Sequence, residues 1–514
     1  MNKSDLRDTA VVMVSLLLAT LTGFLRQSVI AYTLGVGRAT DTYLVAFAVP
    51  EFVFIALPII LSPVLMPLFS QVRRQAGERS AWAWGYRLSA WVVLILIGLV
   101  LCTALAAPIF LRWLSPGFTE SERQQAAALL TPMLPGILLM GLSTLAGSFL
   151  QIYRRFARPA LTAAVYNLVF MASLLWLPQQ NPLNRTGWSV TLGGFAAFAF
   201  QLPLLLRVWR EVRGKAEPTP VVRMDLKEAF RLMGWMAAGY SVHHLILFID
   251  RAMATGLGEG AAAVLNFGYH LALVVGQVSG LAVSYVVFPT LVESVGKKQF
   301  DEVVRALRHS LGLVLAIALP AGVSLIVLRV PLVRLLLEHG AFSSQATAEV
   351  SAVLAIYTLA VTIDALCQPL WRLIYATRKG WTVLAVNCVQ TVIRLVANLL
   401  LMKNFGYNGL AWSAVLGLAV QLLLLGWLAR SRFYFTVGLS GWKTTGKLFL
   451  AALVAGLAAW LVVNAVERLL PDLSYIGGLL IGGIFLLIVY GLLTLPLYKQ
   501  TQWIRSTRRE RDST

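Results

Sequence analysis

Charged side chains interrupt stretches that are otherwise apolar, and they are the residues whose type and place could do chemistry. In "GFLRQSVIAYTLGVGRATDTYLVAF" (Gly23–Phe47), Arg26 lies inside one apolar run and Asp41 opens the next. A charge at mid-bilayer costs from about 3 to over 10 kcal/mol, so it persists where it faces a wet cavity or a partner. We therefore predict that Arg26 points into an internal cavity.

The same argument selects other ionisable residues in apolar runs, and Arg394 is, like Arg26, deep in its run. For these two arginines, a hydrogen bond that ties helices together is the alternative to a functional role in the cavity. The carboxylates could bind a coupling cation or balance the arginines. The predicted binding residues are Arg26, Asp41, Glu51, Asp250, His270 and Arg394, and the candidate cation-coupling residues are Asp41, Glu51, Asp250 and Asp364.

Enzyme signatures do not occur in the sequence. There is no GxxxxGK[ST], HExxH or GxSxG motif, and the three cysteines show no metal-ligand spacing. The sequence thus predicts a transporter without catalytic residues, metal site or cofactor. Whether Na⁺ or H⁺ acts as a coupling ion is left open.

The composition indicates a protein that crosses the membrane many times. Of the 514 residues, 58% are hydrophobic and 13% are charged, whereas a soluble domain carries about 25% charged residues. Runs of roughly 20 apolar residues predict an all-α integral membrane protein with about 14 spans. The predicted spans are 10–33, 41–70, 85–112, 126–152, 157–177, 187–207, 228–254, 262–293, 304–328, 350–375, 381–402, 408–429, 445–466 and 475–498.

The basic residues test this span count and give its orientation. Most of the 43 lysines and arginines fall in alternate short loops or in the C-terminal tail, which follows the positive-inside rule when both termini are cytoplasmic. The net charge of +20 is therefore explained without nucleic-acid binding. The N-terminal "MNKSDLRDTA" shows no cleavable signal pattern and is interpreted as a cytoplasmic tail.

Two halves of the chain resemble each other. "LGVG" at Leu34–Gly37 corresponds to "LGEG" at Leu257–Gly260, and Pro67 corresponds to Pro289 at nearly the same offset. An even number of spans per repeat predicts two six-helix lobes related by a pseudo-twofold axis along the membrane normal, as in transporters that rock two bundles around a site. The predicted domains are 1–215 (N-terminal lobe), 216–432 (C-terminal lobe) and 433–514 (two extra helices and a basic tail).

Two segments carry a resemblance to a known family. "GFLRQSVIAYTLGVGRATDTYLVAFAVPEF" resembles the first two helices of the MurJ (MviN) family, and "FIDRAMATGLGEGAAAVLNFGYHL" followed by "FPTLVES" resembles its seventh and eighth. This family belongs to the multidrug/oligosaccharidyl-lipid/polysaccharide (MOP) exporter superfamily. The resemblance implies a bacterial inner-membrane flippase that moves lipid II, an undecaprenyl-pyrophosphate-linked peptidoglycan precursor, to the outer leaflet by alternating access. It also implies a groove for the lipid tail at the two extra helices.

The sequence departs from the family pattern at several cations. Thr20 and His270 stand where the family usually has arginine. The family usually has a further arginine in the second span, where this sequence has Glu51 and Phe54. Export of another lipid-linked exopolysaccharide unit, or cation-coupled drug export, therefore stays as an alternative. A non-transporting envelope scaffold is a third. Expected partners are the lipid-linked saccharide, membrane lipids and enzymes of cell-envelope synthesis.

Overall fold

A computed structural model of the chain describes residues 3–178, 181–215, 225–276, 291, 293–295, 297, 299–376, 380–433, 439–469 and 475–500. The secondary-structure elements in these ranges are thirteen helices, and no strand occurs there. They are α1 (Lys3–Leu34), α2 (Arg38–Leu114), α3 (Glu120–Ile152), α4 (Ala157–Trp176), α5 (Pro182–Lys215), α6 (Lys227–Thr255), α7 (Ala261–Gly276), α8 (Phe300–Val327), α9 (Arg329–Leu337), α10 (Ser344–Ala376), α11 (Gly380–Phe433), α12 (Leu439–Leu469) and α13 (Tyr475–Gln500).

The helices confirm the all-α membrane fold. Each of the fourteen predicted spans overlaps a described helix, and ten described helices are long and apolar enough to cross a membrane. Two of them contain two predicted spans each: α2 is kinked at Gly77 (φ 81°) and α11 at Gly406 (φ 57°), where glycine tolerates a positive φ. Residues 277–290 and 292 of the predicted span 262–293 lie outside the described residues. The short helix α9 was not predicted.

The chain forms two compact units. The first comprises Met1–Ala263 and Gly340–Phe342. Its helix α3 packs on α2 and α5, α4 on α1 and α5, and α6 on α2. Large side chains such as Phe69 and Phe170 are fully buried between these helices.

The second unit comprises Val264–His339 and Ser343–Thr514. Its helices α8 and α12 cross closely because the contact is lined by small residues: a Cβ on Gly456 would lie 2.6 Å from Val323, and Ala452 and Ala455 are buried in the same cluster. On α13, Tyr490 donates its hydroxyl to the Ala316 carbonyl at 3.0 Å. The division into lobes at 215/216 and 432/433 stays a prediction.

The paired "LGVG" and "LGEG" motifs form comparable turns. Gly35 follows α1 with φ 66°, and Gly258 follows α6 with φ 131°. Both values are ones that side chains with a Cβ rarely adopt. The same backbone requirement thus recurs at the two repeat positions.

Candidate functional site

Arg26 lies on α1 against the aromatic side chains of α4. Asn167 on α4 donates to the Thr22 hydroxyl at 3.3 Å and so fixes the register of the two helices. The Arg26 guanidinium carbon is then 5.5 Å from the ring centre of Phe170 and 5.8 Å from that of Tyr166, within cation–π range. Arg26 Nε is buried without a hydrogen-bond partner. Within the described part of the chain, Arg26 forms no ion pair.

Glu51 on α2 is bound by an arginine of α6. Arg251 Nη2 donates to Glu51 Oε2 at 2.8 Å, and Nη1 donates to the Leu44 carbonyl at 2.9 Å. The two side chains are 17% (Arg251) and 26% (Glu51) exposed. The predicted binding residue Glu51 therefore has its charge balanced, and the fork of Arg251 is fixed by two acceptors on the same helix.

Tyr43 connects Arg26 with this ion pair. Its side chain is 2% exposed, and its ring lies 6.5 Å from that of Phe170, on which Arg26 rests. The carbonyl of the next residue, Leu44, accepts a hydrogen bond from Arg251. The Tyr43 ring stacks on Phe47 at 5.4 Å between centres. Helices α1, α2, α4 and α6 thus bring two cations, one carboxylate and several aromatic rings into one cluster of the first unit.

A second group of rings lines α6 one turn and more before Arg251. His244 stacks on Tyr240 with 3.8 Å between ring centres, and Phe52 of α2 lies 5.6 Å from Tyr240 and 6.3 Å from His244. Aromatic packing of this kind holds α2 and α6 together.

Asp41 holds the start of α7. Its side chain is fully buried, and its two carboxylate oxygens accept the backbone N–H groups of Gly260 (2.7 Å) and Ala263 (2.9 Å). These donors have no partner within their own helix, so the carboxylate satisfies them and complements the helix dipole. The predicted role of Asp41 in substrate or cation binding stays a prediction.

The other predicted residues lie on α6, α7, α10 and α11. Asp250 is buried on α6, and His270 of α7 lies beside Tyr269 with 6.0 Å between ring centres. On α10, Asp364 accepts a hydrogen bond from Gln368 one turn later, at 3.2 Å. Arg394 of α11 is buried, and a Cβ added to Gly417 would lie 3.2 Å from the Cβ of Arg394. Arg26 and Arg394 belong to different compact units, so their common cavity stays a prediction.

Sequence reasoning flagged Arg251, together with Asp250, as a charge in an apolar run but did not place it among the binding residues, and it did not select Tyr43, Tyr166 or Phe170. Aromatic residues in an apolar span have no signal that separates a binding wall from ordinary packing. Arg251 carried a usable signal, since an arginine and Glu51 both lie within apolar runs and each needs a partner there.

The fold resembles solved transporters. The structure described as lipid II flippase MurJ in an inward closed conformation aligns with a TM-score of 0.76 at 18% identity, covering 95% of this chain and 99% of that one. An inward-facing multidrug resistance transporter of the MATE family, MOP superfamily, aligns with a TM-score of 0.66 at 13% identity, covering 83% and 98%. At these identities the likeness establishes the fold.

Sequence comparisons identify the family. Lipid II flippase MurJ of Burkholderia cenocepacia is 26% identical over 458 residues, 87% of this chain and 88% of that protein. The probable lipid II flippase MurJ of Synechocystis is 25% identical, over 88% of this chain and 86% of its own. The family model described as lipid II flippase MurJ matches residues 30–476. The chain therefore belongs to the lipid II flippase MurJ family.

Proposed function

We propose that this protein is a flippase that moves an undecaprenyl-pyrophosphate-linked saccharide precursor of the lipid II type across the bacterial inner membrane. The proposal is supported by the family match over residues 30–476 and by the names of the curated relatives. The protein is a transporter and not an enzyme. Alternating access would carry the polar headgroup through the interior while the lipid tail stays in the bilayer.

The environment of Arg26 is the observation that carries the proposal. It is a cation on a predicted membrane span, packed against two aromatic rings of α4, with Nε buried and with no carboxylate bound to it among the described residues. A charge in this place is expensive unless it has a use. A diphosphate supplies the missing anion in a geometry that the guanidinium fork matches.

The remaining site residues have proposed roles of lesser support. Arg394 and His270 are proposed as further residues that bind the diphosphate. Asp41, Asp250 and Asp364 are proposed as groups that bind a coupling Na⁺ or H⁺ or that balance the arginines. Enzymes of envelope synthesis are proposed as partners, and both termini are proposed to be cytoplasmic.

The other functions considered are not favoured. The family match is to lipid II flippases, whereas the likeness to multidrug transporters is one of fold at 13% identity. A scaffold without transport gives no role to the charge of Arg26, which is partly buried beside aromatic rings.

Reconstitution tests the proposal directly. Purified protein is inserted into liposomes that contain labelled lipid II, and the labelled headgroup that becomes accessible on the opposite leaflet is measured with time. We expect faster exposure than in protein-free liposomes, and no acceleration for a neutral polyprenol carrying a label. Equal rates with and without protein, at verified insertion, would contradict the function.

A further inference from the structure

The Glu51–Arg251 ion pair has an unusual place in the molecule. The other ion pairs found among the described residues lie at helix ends or turns, for example Arg38–Glu122 where α2 and α3 begin. Glu51 and Arg251 instead meet where α2 and α6 pack side by side within apolar runs. A pair in such surroundings pays a desolvation cost that its attraction repays only in part, so it is weak evidence for a purely stabilising role.

The two hydrogen bonds of Arg251 to Glu51 and Leu44 use only part of its N–H donors. Glu51 and the Leu44 carbonyl occupy one N–H on each terminal nitrogen, out of the five donors that a guanidinium has. Both side chains of the pair are partly exposed, at 17% and 26%. Tyr43 and Leu44 connect the pair to the cation that the proposed function assigns to the diphosphate, because the Leu44 carbonyl accepts from Arg251 and the Tyr43 ring lies 6.5 Å from Phe170, on which Arg26 rests.

We propose that Arg251 is a second diphosphate-binding residue and that Glu51 is its resting counterion, which the substrate headgroup displaces. This inference rests on the proposed function and assigns specificity within the same site. A diphosphate offers several charged oxygens to two arginines and competes with one carboxylate. A neutral headgroup cannot replace the carboxylate on Arg251, so its binding would have to separate the ion pair without compensation. Glu51 therefore lowers the affinity for weakly charged lipids.

The competing explanation is a clamp that only joins α2 to α6. The two explanations differ when the charges are exchanged. A clamp works with the acid on either helix, so Glu51→Arg combined with Arg251→Glu would restore wild-type behaviour. A binding arginine held between Leu44 and the headgroup does not tolerate the exchange.

The experiment measures the binding of two lipid probes to purified protein in detergent. The probes are undecaprenyl diphosphate without sugar and neutral undecaprenol, and the variants are Glu51→Gln, Arg251→Gln, Arg251→Lys and the charge exchange. The matched control is Arg38→Gln with Glu122→Gln, which removes an arginine–glutamate pair of similar length (2.9 Å) and exposure (26% and 21%) away from the cluster. Membrane abundance and thermal unfolding are recorded for each variant, and variants that retain the wild-type unfolding midpoint are compared.

We expect Glu51→Gln to bind the diphosphate about tenfold more tightly and Arg251→Gln about tenfold more weakly, since one charged hydrogen bond is gained or lost. Arg251→Lys should bind the diphosphate more tightly than Arg251→Gln and more weakly than the wild type. The charge-exchange variant should bind it as weakly as Arg251→Gln. The Arg38→Gln, Glu122→Gln control should bind it as the wild type does. Two results would overturn this inference alone. In the first, the wild type prefers the diphosphate but Glu51→Gln and Arg251→Gln bind it as the wild type does. In the second, the charge-exchange variant binds it normally. Wild-type protein without preference for the diphosphate would overturn the proposed function as well.

Discussion

At the scale of single residues, Arg26 and Arg251 show two ways of keeping a cation in a membrane span. Arg251 is paired with a carboxylate and a carbonyl, whereas Arg26 rests against the faces of Tyr166 and Phe170. Ring faces attract a cation more weakly than a carboxylate does, and they do not neutralise it. Arg26 is therefore the residue whose charge is most directly offered to a ligand.

Substitution of Arg26 should separate charge from packing. We expect Arg26→Ala to abolish flipping while the protein still inserts, because removing a charge within a span eases insertion. Arg26→Lys should keep part of the activity, since lysine retains the charge and loses the bidentate fork. The measurement is accumulation of the unflipped precursor in cells that depend on the variant.

Membrane abundance is measured in the same cells, and Arg38→Gln serves as a control arginine that lies at the start of α2. Normal flipping by Arg26→Ala at normal abundance would make Arg26 structural and would remove the electrostatic argument for a diphosphate.

At the scale of helices, Asp41 joins two elements that are distant in sequence. Its carboxylate on α2 receives the N–H groups of Gly260 and Ala263 at the start of α7. Asp41→Ala leaves both donors buried and unpaired, so we expect a loss of about 1–2 kcal/mol in stability. Asp41→Asn should lose less, because its amide oxygen still accepts one of them.

Thermal unfolding in detergent, followed by the fluorescence of the 15 tryptophans, would show this order of midpoints. If Asp41→Ala unfolds at the wild-type temperature and still loses transport, Asp41 acts on substrate or cation and its helix contact is secondary.

The turn that contains Gly340 gives a second prediction at this scale. Gly340 has φ 63°, and a Cβ there would lie 2.4 Å from the Tyr32 carbonyl oxygen, while the next residue, Ala341, donates its N–H to the same carbonyl at 2.9 Å. Gly340→Ala should therefore destabilise the protein by more than about 1 kcal/mol, through backbone strain and steric overlap together.

Gly312 in the middle of α8 is the matched control, because a Cβ there meets nothing within 4 Å. Gly312→Ala should leave the unfolding midpoint unchanged or raise it, as alanine favours a helix. Equal midpoints for the two variants would show that segment 340–342 does not depend on its close approach to Tyr32.

At the scale of the whole molecule, the sequence predicted the helices far better than their contacts. Apolar runs and alternating basic loops define the spans because the bilayer imposes a length and a charge rule on each one. The kinks at Gly77 and Gly406 each fall between two predicted spans, so the sequence predicted a break in each of these long helices. Which side chains meet across helices depends on rotation and register, so the partners of Glu51 and Asp41 could not be predicted.

The proposed orientation, with both termini cytoplasmic, can be tested by cysteine labelling. Cys102 and Cys388 are exposed and must first be replaced, whereas Cys367 is buried. Ser121, exposed in the first turn of α3, should then react from outside as cysteine, and Gln75, exposed beside the turn at Gly77, only after permeabilisation. Gly117 is unsuitable for the outer site, because a Cβ there would lie 1.9 Å from the Thr255 carbonyl oxygen.

Gln75 and Ser121 lie on either side of the part of α2 that follows Gly77, so their labelling reports on one crossing of the membrane. A basic segment flanks Gln75 and favours the cytoplasmic side for that turn under the positive-inside rule. Labelling of both cysteines from the same side would contradict the crossing itself. Labelling of Gln75→Cys from outside and of Ser121→Cys only after permeabilisation would show the opposite orientation. Every loop proposed to be cytoplasmic would then lie outside, and both termini with them.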